Sequence, residues 1–231
     1  MDAMTLLDGW DTGAAGSAHA RIDRLFRRIT PAAELDADTL GMRNQRLLAL
    51  HRGIGGSPLE AVAPCPHCGA VNEFTLPAHD LLALPVPDGR DRVEVAGQTF
   101  RVPRMADLLG GSDLPLAELC RDPAPNQTPI TPDVIAQAGA LLDALDPVAN
   151  VVIDLACSGC KALYRASVDI AGFVAAALDR AMARMFRDID TIARAYGWNE
   201  AAIAALPPDR RRRYVTMIEQ RGVDSGWSAA R

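Results

Sequence analysis

Four cysteines in two C-x-x-C knuckles, Cys65-Pro66-His67-Cys68 and Cys157-Ser158-Gly159-Cys160, limit this chain more than any other feature. Four thiolates meet the needs of a structural zinc ion, which takes soft ligands in a closed tetrahedron with no open position. Each knuckle runs directly into alternating apolar and polar residues, Val71 to Leu76 in the first case and Leu163 to Val168 in the second. That is the half-plan of a zinc ribbon. The halves are unusually distant, with 88 residues between Cys68 and Cys157. A metal held by all four sulfurs therefore closes a long loop and acts as an internal staple, which argues against a self-contained nucleic-acid finger.

Rival uses of the cysteines fit less well. A redox C-x-x-C opens a helix after a buried strand, whereas these knuckles sit between strand-like stretches. Disulfides need an oxidising compartment, and the first residues, Met1-Asp2-Ala3-Met4, show no basic or apolar export segment. His67 is surplus to a filled tetrahedron and is expected to face outward. Cys120 reads as a small buried apolar residue on a short helix. No His-Glu-x-x-His or deaminase pattern occurs, and His19, His51, His67 and His79 are scattered, so no catalytic cluster can be argued.

The remaining pattern predicts an α+β protein: a small zinc-ribbon-like sheet and a β-hairpin packed with several helices. Arg92 to Val102 alternates around Gly97 and reads as the hairpin. Thr30-Pro31 and Thr131-Pro132 read as helix starts, Arg43 to His51 as a helix with Arg43 on its polar side, and Ser57 to Glu60 as a capping turn. Pro77 to Leu84 reads as a connector. From Asp169 to Tyr196, apolar residues recur at three- and four-residue spacing, predicting a helix of roughly 40 Å; a helical hairpin follows it. The expected divisions are a loose arm and short helix over 1–40, an α/β body with both knuckles over 41–168, a helical region over 169–222 and a flexible tail over 223–231. With 49% apolar and 23% charged residues and a net charge of -5, the composition is ordinary for a globular chain and unsuited to general polyanion binding. Nothing approaches a membrane span.

Several stretches resemble one family. Val168-Asp169-Ile170-Ala171-Gly172-Phe173, then Ile192-Ala193-Arg194-Ala195-Tyr196-Gly197-Trp198-Asn199-Glu200, then Arg211-x-x-Tyr214 form one set. Arg46 to His51, Leu59-Glu60-Ala61, Cys65 to Gly69 and Phe100 to Leu108 form another. Together, over about residues 40 to 218, they resemble the baseplate hub and hub-assembly proteins of T-even-type contractile phage tails and of extracellular contractile injection systems. Gly53-Ile54-Gly55-Gly56 and Ser158-Gly159 depart from that pattern. The resemblance implies a non-enzymatic structural or chaperone-like assembly role with structural zinc on Cys65, Cys68, Cys157 and Cys160. It implies hub, spike, tape-measure or other baseplate proteins as partners and no small-molecule substrate. Assembly would occur in the cytoplasm, with incorporation into the particle open. Arg180, Arg184, Arg187, Trp198 and Arg211 are the candidate partner contacts. The competing expectation is a zinc-ribbon nucleic-acid-binding or regulatory protein, against which the ribbon stretches set Glu73 and Asp169 beside Lys161 and Arg165.

Overall fold

A computed structural model of the chain describes residues 3–11, 17–56, 58–87, 89–109, 114, 116–123 and 129–224. In chain order the elements are α1 (Ala3–Asp11), α2 (Ala18–Ile29), α3 (Ala32–Ala37), α4 (Leu40–Gly53), β1 (Leu59–Pro64), β2 (Val71–Leu76), α5 (Ala78–Leu82), β3 (Arg92–Val95), β4 (Gln98–Arg101) and α6 (Met105–Leu109). There follow α7 (Leu116–Leu119), α8 (Pro132–Leu145), β5 (Val152–Ala156), β6 (Leu163–Ser167), α9 (Ile170–Tyr196), α10 (Glu200–Ala204) and α11 (Pro208–Asp224). The predicted mixture of helices with small antiparallel hairpins is what the chain adopts. Among the described residues the strands pair as β1–β2, β3–β4 and β5–β6.

The chain divides into two compact units, Thr30–Val174 and a second that joins Met1–Ile29 to Ala175–Arg231. In the first unit, the β3–β4 hairpin turns at Ala96 and Gly97, both at positive φ, as a two-residue primed turn requires. Phe100, Val102, Cys120, Ala138 and Leu142 form the core beneath it. Asp107 clamps Arg101 with two short bonds, 2.6 and 2.7 Å, and accepts from the Arg104 amide. At the start of α4, the Thr39 hydroxyl accepts from Met42 N. The fully buried Asp146 carboxylate accepts from Gly41 N at 3.0 Å. A Cβ on Gly41 would lie 1.7 Å from Asp146 Oδ1, so only glycine lets that carboxylate reach the helix.

A constant offset of 92 residues relates two stretches of this unit. Thr39 and Thr131 cap α4 and α8, whose spans differ by that offset at both ends. Cys65 and Cys157, Cys68 and Cys160, the starts of β2 and β6, and the starts of α5 and α9 all stand 92 positions apart. Each stretch is a helix, a knuckled hairpin and a second helix start. The helices bury different faces, Leu47 and Leu48 in α4 but Ala138 and Leu142 in α8, so the likeness is closest in the hairpins.

In the second unit Leu6, Leu7, Trp10, Ile22, Leu25, Phe26, Leu178, Ile192 and Ile203 are buried. The Trp10 indole N–H donates to Asp179 Oδ1 at 2.9 Å, and Arg21 grips both Asp179 oxygens while lying 4.0 Å over the Trp10 ring. The Arg21 guanidinium thereby holds the Asp179 carboxyl below the usual carboxylate range, against a smaller desolvation effect. Gly197, at φ 68, ends α9, and the Asn199 side chain caps α10.

Several local expectations are corrected. The chain start is no loose arm over its described part: α1 and α2 form because Leu6, Leu7 and Trp10 supply an apolar face. Pro31, not Thr30, stands at the start of α3. Leu59 and Glu60 are strand rather than turn, since Leu76 and Thr75 pair with them. Ala78–Leu82 is a helix within the expected connector. Arg43 is buried rather than on a solvated side. Helix α11 reaches Asp224, and the expected tail lies outside the described residues from 225 onward.

Candidate metal centre

Each knuckle is a tight turn closing a hairpin. In the first, Cys65 N bonds Ala70 O at 2.9 Å and Gly69 N bonds Cys65 O at 2.9 Å. In the second, Cys157 N bonds Ala162 O at 2.9 Å and Lys161 N bonds Cys157 O at 3.1 Å. The residue after the second cysteine is left-handed in both, φ 75 at Gly69 and φ 63 at Lys161. Glycine takes that conformation freely and lysine does so under strain. Lys161 Nζ meanwhile donates to Ser158 O at 2.9 Å.

The four sulfurs all lie within 4.8 Å of one another. Cys65 Sγ is 3.7 Å from Cys160 Sγ, and Cys68 Sγ is 3.6 Å from Cys157 Sγ. A tetrahedral ion with metal–sulfur bonds of about 2.3 Å sets neighbouring sulfurs about 3.8 Å apart. The spacing fits such an ion, and the cysteines are free thiols rather than disulfides. Cys65 and Cys157 are buried, while Cys68 and Cys160 are exposed. The Cys160 and Gly159 amides, with the thiols of Cys68 and Cys65, draw Cys157 down to about 6 despite desolvation. The Ala162 amide favours the Cys160 thiolate too, but desolvation and the three neighbouring sulfurs push that thiol up to about 11. One thiolate is welcome here and further negative charge is resisted, a conflict that a cation removes. All four predicted ligands are therefore brought together and can hold a metal ion.

Two residues that sequence reasoning passed over complete the setting. Asn72, only 6% exposed, accepts from Ser158 N at 2.7 Å through Oδ1. Its Nδ2 donates to Ala70 O and to Tyr164 Oη, each at 3.0 Å, and faces Cys157 Sγ at 3.9 Å. The Tyr164 hydroxyl in turn donates to Ala63 O at 3.1 Å. The only hint available beforehand was a polar residue at an inward position of each hairpin. His67 is exposed and Cys120 is fully buried, its thiol pushed to about 12 by desolvation and then by Asp107.

The candidate partner contacts behave differently from one another. Arg180, Arg184 and Arg187 are exposed on α9. Trp198 is 37% exposed and stacks on Tyr196, with Tyr214 edge-on to both. Arg211 is a correction: it is 6% exposed, donating to Asp188 Oδ2 at 3.1 Å and to Leu206 O. Its charge is consumed inside the unit, so it offers no docking surface. Among the described residues, no helix is long and apolar enough to cross a membrane. Comparison with protein-family models, with curated proteins and with solved structures yields no match.

Proposed function

We propose that this chain is a non-enzymatic structural or assembly protein of the baseplate hub of a contractile phage-tail-like particle, stapled by structural zinc. The observation that carries the zinc reading is the closed set of four cysteine sulfurs at tetrahedral spacing. Zinc suits an all-thiolate tetrahedron, and four protein ligands leave no coordination position for water or substrate. The metal's work is then to hold the knuckles of Cys65 and Cys157 together. The assembly role is supported by the resemblance of the stretches around Cys65, Phe100 and Tyr196 to hub and hub-assembly proteins. Its mechanism is association with hub, spike or tape-measure components through buried area, without turnover.

A nucleic-acid ribbon is less well supported. The exposed residues of the two hairpins include Val62, Val71, Leu163, Glu60, Glu73 and Asp154, and Arg165 lies 4.0 Å from Asp154. Apolar and acidic surface suits a protein partner better than a phosphate backbone. The test is isolation of particles and of their assembly intermediates from the source cell, with mass spectrometry of both. Presence in the particle identifies a built-in component, and presence only in intermediates identifies a chaperone. Absence from both defeats the assembly reading, and less than one equivalent of zinc in the purified chain defeats the zinc reading.

A further inference from the structure

The two knuckles are near copies in backbone, yet their surroundings differ at one inward position. Asn72 and Tyr164 are equivalent under the 92-residue offset, and their side chains meet at 3.0 Å. The sulfur pairs Cys65–Cys160 and Cys68–Cys157 exchange under the same relation, at 3.7 and 3.6 Å. The hairpins thus face each other as approximate twofold mates, with the Asn72–Tyr164 contact between them. What breaks the symmetry is Pro66 opposite Ser158. Ser158 has a backbone N–H for Asn72 Oδ1 to accept; Pro66 has none to offer.

We infer that Asn72 is a positioning residue of the metal centre, locking the second knuckle to the first and holding its amide nitrogen beside the Cys157 sulfur. The inference rests on the four-sulfur site binding a metal. A planar amide supplies what the place requires: an acceptor for Ser158 N and two N–H donors for Ala70 O and Tyr164 Oη, with the same nitrogen lying 3.9 Å from the Cys157 sulfur. Asn72 is buried and reaches residues 85 to 92 positions away, so it orients ligands contributed by separate stretches of chain. Outer groups of this kind govern how firmly a site holds its metal, and their loss costs roughly 10–100-fold in affinity.

The full chain loaded with Co2+ provides the test, because thiolate-to-cobalt charge transfer reports ligand geometry directly. Wild type should take up one equivalent with strong thiolate charge-transfer absorption; if it takes up none, the metal reading itself falls and this inference with it. In a chain that does bind, Asn72→Leu and Ser158→Pro should surrender metal to a competing chelator roughly 10–100-fold more readily. Their cobalt bands should also shift. Tyr164→Phe, which leaves the Asn72–Ser158 bond intact, should change retention only about threefold. Should Asn72→Leu not fold, Ser158→Pro carries the test, since Pro66 shows that this turn accepts proline there. Wild-type retention and an unshifted cobalt spectrum in folded Ser158→Pro would overturn the inference while leaving the metal reading intact.

Discussion

The helical unit and the two ribbon hairpins are held by different physics. In the helical unit, α9 lays Leu178, Met182, Met185, Ile189 and Ile192 along one face, and Leu6, Leu7 and Trp10 come from the opposite end of the sequence. Each such large side chain contributes about 1.5–3 kcal/mol when fully buried, so apolar burial alone can hold the termini together. The ribbon hairpins have no comparable supply. Their core is Ala63, Ala166, Tyr164 and two cysteines, and each is a lone two-stranded hairpin, marginal by itself in water. There the buried Cys65 and Cys157 stand where a hydrophobic core would otherwise be, and Cys68 and Cys160 close the set from the exposed side. The lesson is that a chain can connect distant segments either by large apolar faces or by a few ligands sharing one ion.

The largest expected effect separates the units. Cys65→Ser or Cys157→Ser, or removal of metal by a chelator, should remove binding free energy on the order of 10 kcal/mol from the Thr30–Val174 unit. Trp10 and Trp198 both belong to the other unit, and Trp227 lies outside the described residues. Chelation should therefore change far-ultraviolet circular dichroism while tryptophan emission stays folded-like; a coincident emission shift would mean that the units melt as one. Next in size, Gly41→Ala should cost about 1–3 kcal/mol in denaturant unfolding of the metal-bearing unit, because the new methyl displaces Asp146 from α4. An unchanged midpoint would show that this buried contact is dispensable beside the metal.

Smaller effects probe each unit's own ties. Asp179→Asn should lower the stability of the helical unit by about 1 kcal/mol or less, since the Asp179 side chain is half exposed. The folded pKa of Asp179 lies below the unfolded value, so its contribution is complete above the ordinary carboxylate pKa. It is lost as pH falls through the lowered folded value. Tryptophan-monitored unfolding from pH 7 to pH 2 should show that acid loss in wild type and not in Asp179→Asn. Smallest of all, Lys161→Gly should stabilise the metal-bearing unit by about 0.5–1 kcal/mol by relieving its left-handed backbone. A loss instead would give the Lys161–Ser158 bond the greater weight.

Much of this was legible in residue order because its causes are local. A C-x-x-C turn, an alternating hairpin around Gly97, Thr131 before Pro132 and the long apolar stripe after Asp169 each act within a few residues. The chain start reads as a loose arm because Leu6, Leu7 and Trp10 show an apolar face only when another segment covers it. Arg211 reads as a partner contact for the matching reason, since nothing in the run Arg210-Arg211-Arg212-Arg213 marks that Asp188 folds against it. The 92-residue repeat was equally faint, with six identities across residues 39–82 and 131–174.

By itself, then, the order of residues determined which groups can bind a metal, where most helices begin and end, and that the fold mixes helices with small hairpins. Tertiary structure alone decided that Asn72 would hold Ser158 and face Cys157, and that Asp146 would sit at the start of α4. The reason is physical: ligand type and turn geometry are set by neighbouring covalent structure. A buried amide or carboxylate acquires its role only from partners that lie a hundred residues away and have no mark in the local sequence.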